Sequence, residues 1–255
     1  VVACYDLPGK TFRHETYDDY KSGRAKTEDD LIQQLKRSRD VCAAFNIPIY
    51  EEPGFEADDM LGTIVEQTKD NPDLEIIIAS GDMDTMQLIE GKKVQVFTLK
   101  KGIKDTVTYD EDAVIERFGF GPRFLTDYKG LRGDASDNIK GIRGIGEKSA
   151  TDLITNFGTI EEMYALLDTH RGAFLEKGIK ERIVGLLEAG REDAEFSKIL
   201  ATIRRDAPIT FELPENHWEE SLDIERIEKL FHELSFRTLI NRVHKVLGAS
   251  ADTPS

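Results

Sequence analysis

One apolar run restricts the fold of this chain more than any other feature. Residues 74–80, with the sequence LEIIIAS, form a continuous apolar stretch of strand length. Runs of this kind are typical of strands that lie in a parallel sheet and are covered by helices on both faces. We therefore expect this segment to be a buried strand in the middle of a layered fold.

Strand and helix patterns alternate around this run. Helices are predicted at 31–45 and from Asp59 onward, where apolar residues recur at helical spacing. Further strands are predicted at 1–6, ending in Asp6, at 47–50 and at 94–99. This alternation predicts an α/β layer structure. After Pro122 only short helical patterns follow, and the last of them, residues 224–247, is interrupted near Ser235.

The charge and the cysteines limit the setting. The formal net charge of −15 over 255 residues argues against a nucleic-acid partner, unless the acidic residues are gathered to hold cations. Cys4 and Cys42 are the only cysteines, which indicates a reducing, cytoplasmic environment. No apolar run has the length of a membrane span, and no secretory signal begins the chain.

Acidic residues are clustered at corresponding positions of the pattern. Asp82 and Asp84 follow the strand at 74–80, and Glu56 and Asp59 share one face at the start of a helix. Asp134 and Asp137 are also three positions apart. In open α/β sheets, functional groups collect beyond the carboxyl ends of the strands. We therefore expect these acids to converge, with Asp58 at the edge of the group.

Each cluster alone could be a set of helix caps or turn residues. Several clusters together repel one another, so their convergence requires counter-cations. Oxygen ligands without His or Cys suit Mg²⁺ or Mn²⁺. Two such ions about 4 Å apart are a common device for in-line displacement at a phosphodiester. The acids therefore predict a two-metal site.

Two further segments suggest contact with nucleic acid. In residues 138–158, Gly141, Gly144 and Gly146 alternate with isoleucines before a helix, which favours a helix–hairpin–helix that binds a backbone phosphate, with Lys148 adding charge. The alternative is an ordinary glycine-rich loop. Residues 17–26 mix tyrosine with Lys and Arg, a weaker pattern for stacking and phosphate contacts that is also common on solvated surfaces.

Six motifs together resemble the 5′-nuclease family, which includes flap endonucleases and the N-terminal 5′→3′ exonuclease domains of bacterial DNA polymerase I. They occur in family order as YDLPGKTFRHE, YKSGRAKTEDDLIQQL, GFEADDMLGT, GDMDTMQL, GLRGDASDNIKGIRGIGEKSA and FHELSFRTLINRV. The resemblance implies a PIN-like, mostly parallel sheet with flanking helices and a helix-three-turn-helix module. It implies a PIN-like core at 1–122 with a helical arch at about 14–45, the module at 123–200, a helical region at 201–247 and a linker-like tail at 248–255.

The resemblance also assigns roles to individual residues. The metal ligands it implies are Asp6, Glu56, Asp58, Asp59, Asp82, Asp84, Asp134 and Asp137. Lys21 and Arg24 correspond to a catalytic basic pair in the arch. The DNA-binding residues it implies are Tyr20 as a stacking aromatic, Lys21, Arg24, Gly141, Gly144, Gly146 and Lys148. The hairpin from Gly141 to Gly146 corresponds to a segment that holds K⁺ against a duplex phosphate.

The implied activity is structure-specific 5′→3′ exonuclease and 5′-flap endonuclease cleavage in DNA replication and repair. The implied partners are DNA with a 5′ flap or 5′ end, RNA primer–DNA junctions and polymerase domains in a full-length chain. The resemblance implies a monomer, without a membrane partner, in the cytoplasm and associated with the nucleoid.

The chain departs from the family pattern in two places. Lys140 and Arg143 stand where family members usually have proline, so this backbone should be less stiff and more basic. The family also begins with a strand bearing another metal-binding Asp, whereas this chain starts at the strand that would follow it. Two alternatives therefore stay open: a DNA-structure-binding module without catalysis, and a non-enzymatic acidic protein whose clusters are surface caps.

Overall fold

The computed structural model describes residues 1–215 and 217–246, apart from the side chain of Ile103, so the predicted tail at 248–255 lies outside the described residues. The chain forms two compact units. The smaller unit comprises Val1–Asp6, Ala25–Glu51 and Thr210–Ser255, and the larger unit comprises Leu7–Arg24 and Glu52–Ile209. No described helix is both long enough and apolar enough to cross a membrane.

Among the described residues, strands and helices occur together in the first half of the chain and only helices follow, as the sequence pattern predicts. The strands are β1 (Ala3–Cys4), β2 (Ile49–Tyr50), β3 (Ile76–Ala79), β4 (Val94–Lys101) and β5 (Asp105–Tyr109). The helices are α1 (Phe12–Thr16), α2 (Asp29–Ala44), α3 (Ala57–Thr68), α4 (Glu111–Phe118), α5 (Leu125–Arg132), α6 (Glu147–Phe157), α7 (Ile160–His170), α8 (Gly172–Glu176), α9 (Glu181–Ala189), α10 (Arg191–Ala201), α11 (Ile224–Glu233) and α12 (Arg237–Val246). The predicted α/β class is therefore confirmed.

The smaller unit combines a short parallel ladder with three helices. β1 pairs with β2 in the register Ala3 to Ile49 and Cys4 to Tyr50. The predicted buried strand at 1–6 is wrong in length and burial, since only two residues pair and none of the six is buried. Apolar side chains of α2 and α11 form the core of this unit. The predicted interruption of the last helix is confirmed, because Ser235 has a φ of +60° between α11 and α12.

The larger unit contains a mixed sheet in the order β3-β4-β5. β3 and β4 are parallel, whereas β5, which the sequence pattern did not predict, returns antiparallel to β4. The expectation that β3 is covered on both faces is wrong, because Ile78 is 3% exposed but Ile77 is 50% exposed. Alternate residues of a strand point to opposite faces, so one face of β3 is covered and the other is open.

Helix α5 lies in the helical part of the larger unit and packs closely on its neighbours. A side-chain carbon on Gly130 would lie 2.6 Å from Cδ1 of Ile160 and 2.9 Å from the carbonyl oxygen of Ala194. Only glycine fits there, so α5 can approach α7 and α10 at this point. This packing fixes the position of the neighbouring residue, Lys129, which belongs to the site described next.

Candidate active site and nucleic-acid interface

The start of α3 holds two of the predicted acids by local bonding. Glu56 is the N-cap of this helix, and Asp59, three residues later, completes a capping box with it. The backbone N–H of Glu56 donates to Oδ2 of Asp59 at 2.9 Å. Acidic side chains are favoured in the first turn of a helix by its dipole, so the sequence itself orders this pair.

Asp59 forms a buried ion pair with Arg13 from α1. Nη1 and Nη2 of Arg13 each donate to one oxygen of Asp59 at 2.8 Å, and the two side chains are 3% and 0% exposed. Arg13 also donates to the carbonyl oxygens of Leu200 and Thr202, at 3.0 and 2.8 Å. Burial opposes the charge on Arg13, but the hydrogen bonds and charge of Asp59 raise its pKa above the ordinary value.

Protein donors occupy the whole carboxylate of Asp59. Besides Arg13 and the N–H of Glu56, the N–H of Arg204 donates to Oδ1 at 2.8 Å. A carboxylate accepts about four hydrogen bonds, so this geometry leaves Asp59 no open position for a metal ion. The role of Asp59 as a metal ligand stays a prediction. In the structure, Asp59 anchors Arg13. The sequence analysis did not single out Arg13, although it lies in the motif TFRHE.

The two predicted catalytic cations contact predicted metal ligands. Nζ of Lys21 donates to Oε2 of Glu56 at 3.0 Å, and Nη2 of Arg24 donates to Oδ1 of Asp137 at 2.6 Å. Lys21 has a φ of +55°, which is strained for a residue with a side chain. Its N–H donates to the carbonyl oxygen of Asp137 at 3.0 Å, which holds this conformation. The Arg13 cluster consists of Arg13, Tyr20, Lys21, Arg24, Glu56, Asp59 and Asp137.

Tyr20 is not placed for the stacking role implied by the resemblance. The residue is 4% exposed, and its ring meets the His14 ring edge-on with centroids 5.1 Å apart. Its hydroxyl donates towards Asp137 and Glu56, at 3.2 and 3.3 Å. Burial, with the neighbouring carboxylates, raises the pKa of Tyr20 above its ordinary range, so this hydroxyl keeps its proton. In this arrangement Tyr20 orders the acids and does not offer a face to a base.

A second group of acids surrounds a single lysine. Nζ of Lys129, in α5, donates to Oδ1 of Asp84 and, at 2.6 Å, to Oδ2 of Asp134. Asp82 caps the short helix Met83–Leu88 by accepting from the N–H of Asp84 at 2.9 Å. The Lys129 cluster consists of Asp82, Asp84, Lys129 and Asp134. Lys129 is a site residue that the sequence analysis missed.

The charges of this cluster stabilise one another. Burial alone would raise the pKa of Asp134, but donation by Lys129 and Ser136 lowers it to about 2. Burial works against the charge of Lys129, yet Asp84 and Asp134 raise its pKa above the ordinary value. Lys129 therefore stays protonated between the two carboxyl groups, whereas burial, with the charges of Asp82 and Asp134, raises the pKa of Asp84 above its ordinary value despite the contact with Lys129.

The predicted convergence of all the acids on one site is not found in this form. The turn from Asp134 to Asp137 supplies one acid to each cluster, and Asp58 lies half-buried in the first turn of α3. Asp6 is exposed and belongs to the smaller unit. Among the described residues, no three His, Cys, Asp or Glu side chains are arranged to hold a metal ion. Like carboxylates repel one another unless cations lie between them, and here Lys and Arg side chains contact the acids within each of the two clusters.

The glycines of the predicted hairpin have different surroundings. Gly141 has a φ of +59°, its N–H donates to Oγ of Ser197 at 3.0 Å, and a side-chain carbon there would overlap the backbone of Gly133. Gly141 therefore serves packing. Gly144 has a φ of +95°, and Gly146, the N-cap of α6, has open space where a side chain would be. Both are exposed, as is Lys148 in the first turn of α6.

Family models match most of the chain. Residues 1–119 match the model of a 5′-3′ exonuclease N-terminal resolvase-like domain. Residues 120–223 match the model of a 5′-3′ exonuclease C-terminal SAM fold. The change from the mixed sheet and its helices to helices alone falls near the boundary between these two matches.

A curated relative and two solved structures are also similar. DNA polymerase I of Bacillus caldotenax is 38% identical over 95% of this chain, which spans 26% of that protein's length. A T5 5′-exonuclease structure with bound divalent zinc ions is 25% identical, with a TM-score of 0.65, over 78% of this chain and 72% of that one. The T5 D15 flap endonuclease in a pseudo-enzyme-product complex with DNA and metal ions is 25% identical, with a TM-score of 0.62, over 78% and 72% of the two chains.

Proposed function

The chain belongs to the 5′-3′ exonuclease family, and from that membership we propose that it hydrolyses phosphodiester bonds at 5′ ends and 5′ flaps of DNA. One observation supports this most directly. Lys21 and Arg24, the predicted phosphate-binding cations, contact Glu56 and Asp137, which are predicted ligands of the metal site. A scissile phosphate that replaced these carboxylates as the partner of Lys21 and Arg24 would lie beside the acids.

The donor set fits divalent ions of the Mg²⁺ or Mn²⁺ kind, because it consists of carboxylates. The position of Lys129 between Asp84 and Asp134 marks a place in this set that favours a positive charge. Together with Asp82, these two acids and Glu56 and Asp137 would hold the ions. When bound, such ions activate a water molecule and stabilise the leaving oxygen of a phosphodiester.

The remaining steps belong to side chains of the chain itself. Lys21 and Arg24 supply positive charge where the phosphate becomes more negative in the transition state. Arg13 keeps Asp59 and the start of α3 in place through its paired hydrogen bonds. The protonated hydroxyl of Tyr20 orients Glu56 and Asp137. Lys129 holds Asp84 and Asp134 close together against their mutual repulsion.

A labelled 5′-flap substrate tests the activity. We expect the 255-residue chain to cleave the flap strand when Mg²⁺ or Mn²⁺ is added, and to stop when a chelator is added. Flap binding without divalent ions should persist, because it depends on the cations of the chain. Failure to bind flap or duplex DNA at low salt would overturn the proposed function. Cleavage that is unaffected by chelation would overturn the two-metal site.

The exposed hairpin supports a sequence-independent contact with duplex DNA. We infer that Gly144, Gly146 and Lys148 approach a backbone phosphate, with K⁺ as the monovalent ion at this hairpin. The substitution Gly146→Asp should weaken duplex binding by repelling that phosphate, while Mg²⁺-dependent cleavage at saturating DNA changes little. Unchanged duplex affinity in Gly146→Asp would refute the phosphate contact.

A second class of substrate, RNA primer–DNA junctions, suits the same site chemistry. We propose that RNA primer–DNA junctions are also cleaved, because the backbone phosphates that the site would contact are the same groups in RNA and DNA. We also propose that the chain acts as a cytoplasmic monomer. Cleavage of matched flaps with DNA and RNA 5′ segments, and the molar mass in solution, test these points. A strong preference for the DNA flap would restrict the substrate to DNA.

One observation favours a second candidate, a DNA-structure-binding protein without catalysis. Protein cations already neutralise Asp59, Asp84, Asp134 and Asp137 in the two clusters. If those ion pairs persist in the presence of Mg²⁺, flap DNA should bind without being cut. Flap binding without Mg²⁺-dependent cleavage would select this candidate.

A further inference from the structure

The hairpin before α6 has a counterpart before α9. The segment GIGEK at 144–148 and the segment GIKER at 178–182 match in residue type at four positions. Gly144 and Gly178 have φ angles of +95° and +82°. Each is followed by a buried isoleucine, an exposed N-cap, a glutamate that begins the helix and an exposed cation. The larger unit thus contains two turns of the same construction.

The two turns line one cleft. Its volume is about 360 Å³, and it is lined by Lys148, Ser149 and Asp152 from α6 and by residues 178–180, Arg182 and Ile183 from the second turn and α9. Arg182 reaches across to the first turn, because a side-chain carbon on Gly144 would lie 3.6 Å from its Nη1. The second turn therefore adds its cation directly to the predicted phosphate-binding hairpin.

The cations of this cleft are not neutralised by ion pairs. In the part of the chain that the structure describes, Lys148, Lys180 and Arg182 form no salt bridge. Nearby cations behave differently, since Arg171 contacts Glu181 at 2.5 Å and Glu188 at 2.7 Å. Arg171 thus engages the glutamate at the start of α9, and among the described residues Asp152 is the only carboxylate that lines the cleft. A surface with this charge favours an anionic partner.

We propose that the cleft between the two turns binds the phosphate backbone of duplex DNA, with Lys180 and Arg182 as binding residues in addition to the first hairpin. This inference rests on the proposed function, because it extends the same DNA-binding surface. Two turns with the same construction present cations to two sides of one cleft, so they suit a partner that carries regularly repeated charges. Lys and Arg contacts to phosphates carry no sequence information, so binding should be independent of base sequence.

Duplex affinity in the absence of divalent ions tests the proposal. A labelled blunt duplex without a flap is titrated with the wild-type chain and with Lys180→Gln, Arg182→Gln and Lys177→Gln, followed by fluorescence anisotropy. Lys177 is the matched control, since it is exposed beside Gly178 but does not line the cleft. We expect Kd to rise roughly fivefold for each cleft variant at moderate salt, and to stay within about twofold for the control.

The salt dependence separates a phosphate contact from a structural role. Each cleft variant should reduce the slope of log K against log salt by about one unit, and Arg182→Lys should restore it. Thermal melts of the variants should match the wild type, because all three side chains are exposed. An unchanged slope in Lys180→Gln and Arg182→Gln, or equal losses in Lys177→Gln, would overturn the proposal.

The same titration distinguishes this inference from the proposed function. If the wild-type chain does not bind duplex or flap DNA at low salt, the proposed function fails. If the wild type binds duplex DNA, and Gly146→Asp weakens this binding while the variants at Lys180 and Arg182 do not, the phosphate contact of the first hairpin is supported. The contact proposed for the second turn is then refuted. Weaker binding in both sets supports both statements.

Discussion

In the Arg13 cluster, Glu56 and Asp137 accept hydrogen bonds from Lys21 and Arg24, which lie in an irregular segment between α1 and α2. In the Lys129 cluster, Asp84 and Asp134 accept hydrogen bonds from one lysine in the middle of the packed helix α5. The side chain of Arg24 is 52% exposed, whereas that of Lys129 is 16% exposed. The cations that neutralise the acids therefore differ in solvent exposure between the two clusters.

This difference distinguishes cations that hold the acids in place from cations that can leave the acids and bind a phosphate. Arg13 and Asp59 are buried, and Lys129 and its two acids are largely shielded from solvent, so the loss of either cation would leave shielded carboxylates without a partner, which is costly. Arg24 is open to solvent, where an ion pair contributes little to stability. Lys21, whose side chain is 21% exposed, differs from Lys129 mainly because it lies in an irregular segment and not in a packed helix. We infer that Arg13 and Lys129 hold the acids in position. Lys21 and Arg24 can instead release their carboxylates and bind a phosphate. The following predictions test this division.

The largest expected effect follows from removing an acid of the Lys129 cluster. Asp82→Ala should reduce turnover on a 5′ flap on the order of 10³-fold, equivalent to about 4 kcal/mol, because the predicted metal ions stabilise the transition state. Flap affinity should change little. Single-turnover cleavage and anisotropy measure the two quantities, with the exposed Asp73→Ala as the control. A loss of affinity equal to the loss of turnover would contradict a role confined to the transition state.

A stability effect of about 3 kcal/mol is expected for the buried anchor of the Arg13 cluster. Arg13→Met removes the partner of Asp59 and the donors to Leu200 and Thr202, so it leaves buried acceptors unpaired. Urea denaturation at neutral pH measures the change, with Arg24→Ala as the exposed control. Equal destabilisation by the two variants would show that both cations of this cluster are structural, and the division would fail.

A smaller effect, about 2 kcal/mol in activation free energy, is expected for the exchanging pair. Lys21→Ala and Arg24→Ala should each lower flap turnover by roughly 30-fold, because both supply charge to the phosphate. The melting temperature should remain near that of the wild type. Lys26→Ala, an exposed cation in the same basic stretch, is the control. A large drop in melting temperature for Lys21→Ala would assign that lysine to the anchors.

The sequence predicted the elements of the fold better than their exposure. Local patterns determine the start of α6 after Gly146 and the interruption at Ser235, since both depend on neighbouring residues. The open face of β3 was not predictable, because Ile77 is apolar whether it is covered or not. Strand β5 was also missed, because its pairing depends on a turn after β4 and not on an apolar run.

The site shows the same limit for a different reason. Acidic residues cluster along the chain, so the pattern reveals them, and both clusters consist of predicted acids. The shielded cations are distant in sequence from one acid of each cluster, since Arg13 and Asp59 are 46 positions apart and Lys129 and Asp84 are 45 apart, although Lys129 and Asp134 are only 5 apart. A long side chain that reaches across the fold leaves no spacing to recognise. The family resemblance assigned Tyr20 to stacking, and its burial against Ile139 and α10 was not predictable, because those residues are distant from it in the sequence.

The smallest effect distinguishes the clusters by titration. Burial raises the pKa of Asp134, but donation by Lys129 and Ser136 lowers it to about 2. A carboxyl with a lowered pKa stabilises the fold above its unfolded pKa of about 3.9, and this contribution is lost as the pH falls towards the folded value. Because the side chain of Asp134 is partly exposed, we expect the contribution to be about 1 kcal/mol.

The variant Asp134→Asn isolates this contribution. Between about pH 5 and pH 2, the unfolding free energy of the wild type should fall by more than that of Asp134→Asn, by the amount of the lost carboxylate interaction. Arg24→Ala should leave this difference unchanged, because Arg24 contacts Asp137 and not Asp134. Urea denaturation at several pH values measures the curves. Parallel curves for wild type and Asp134→Asn would mean that the pair with Lys129 does not persist in solution, and that Lys129 exchanges as freely as Lys21.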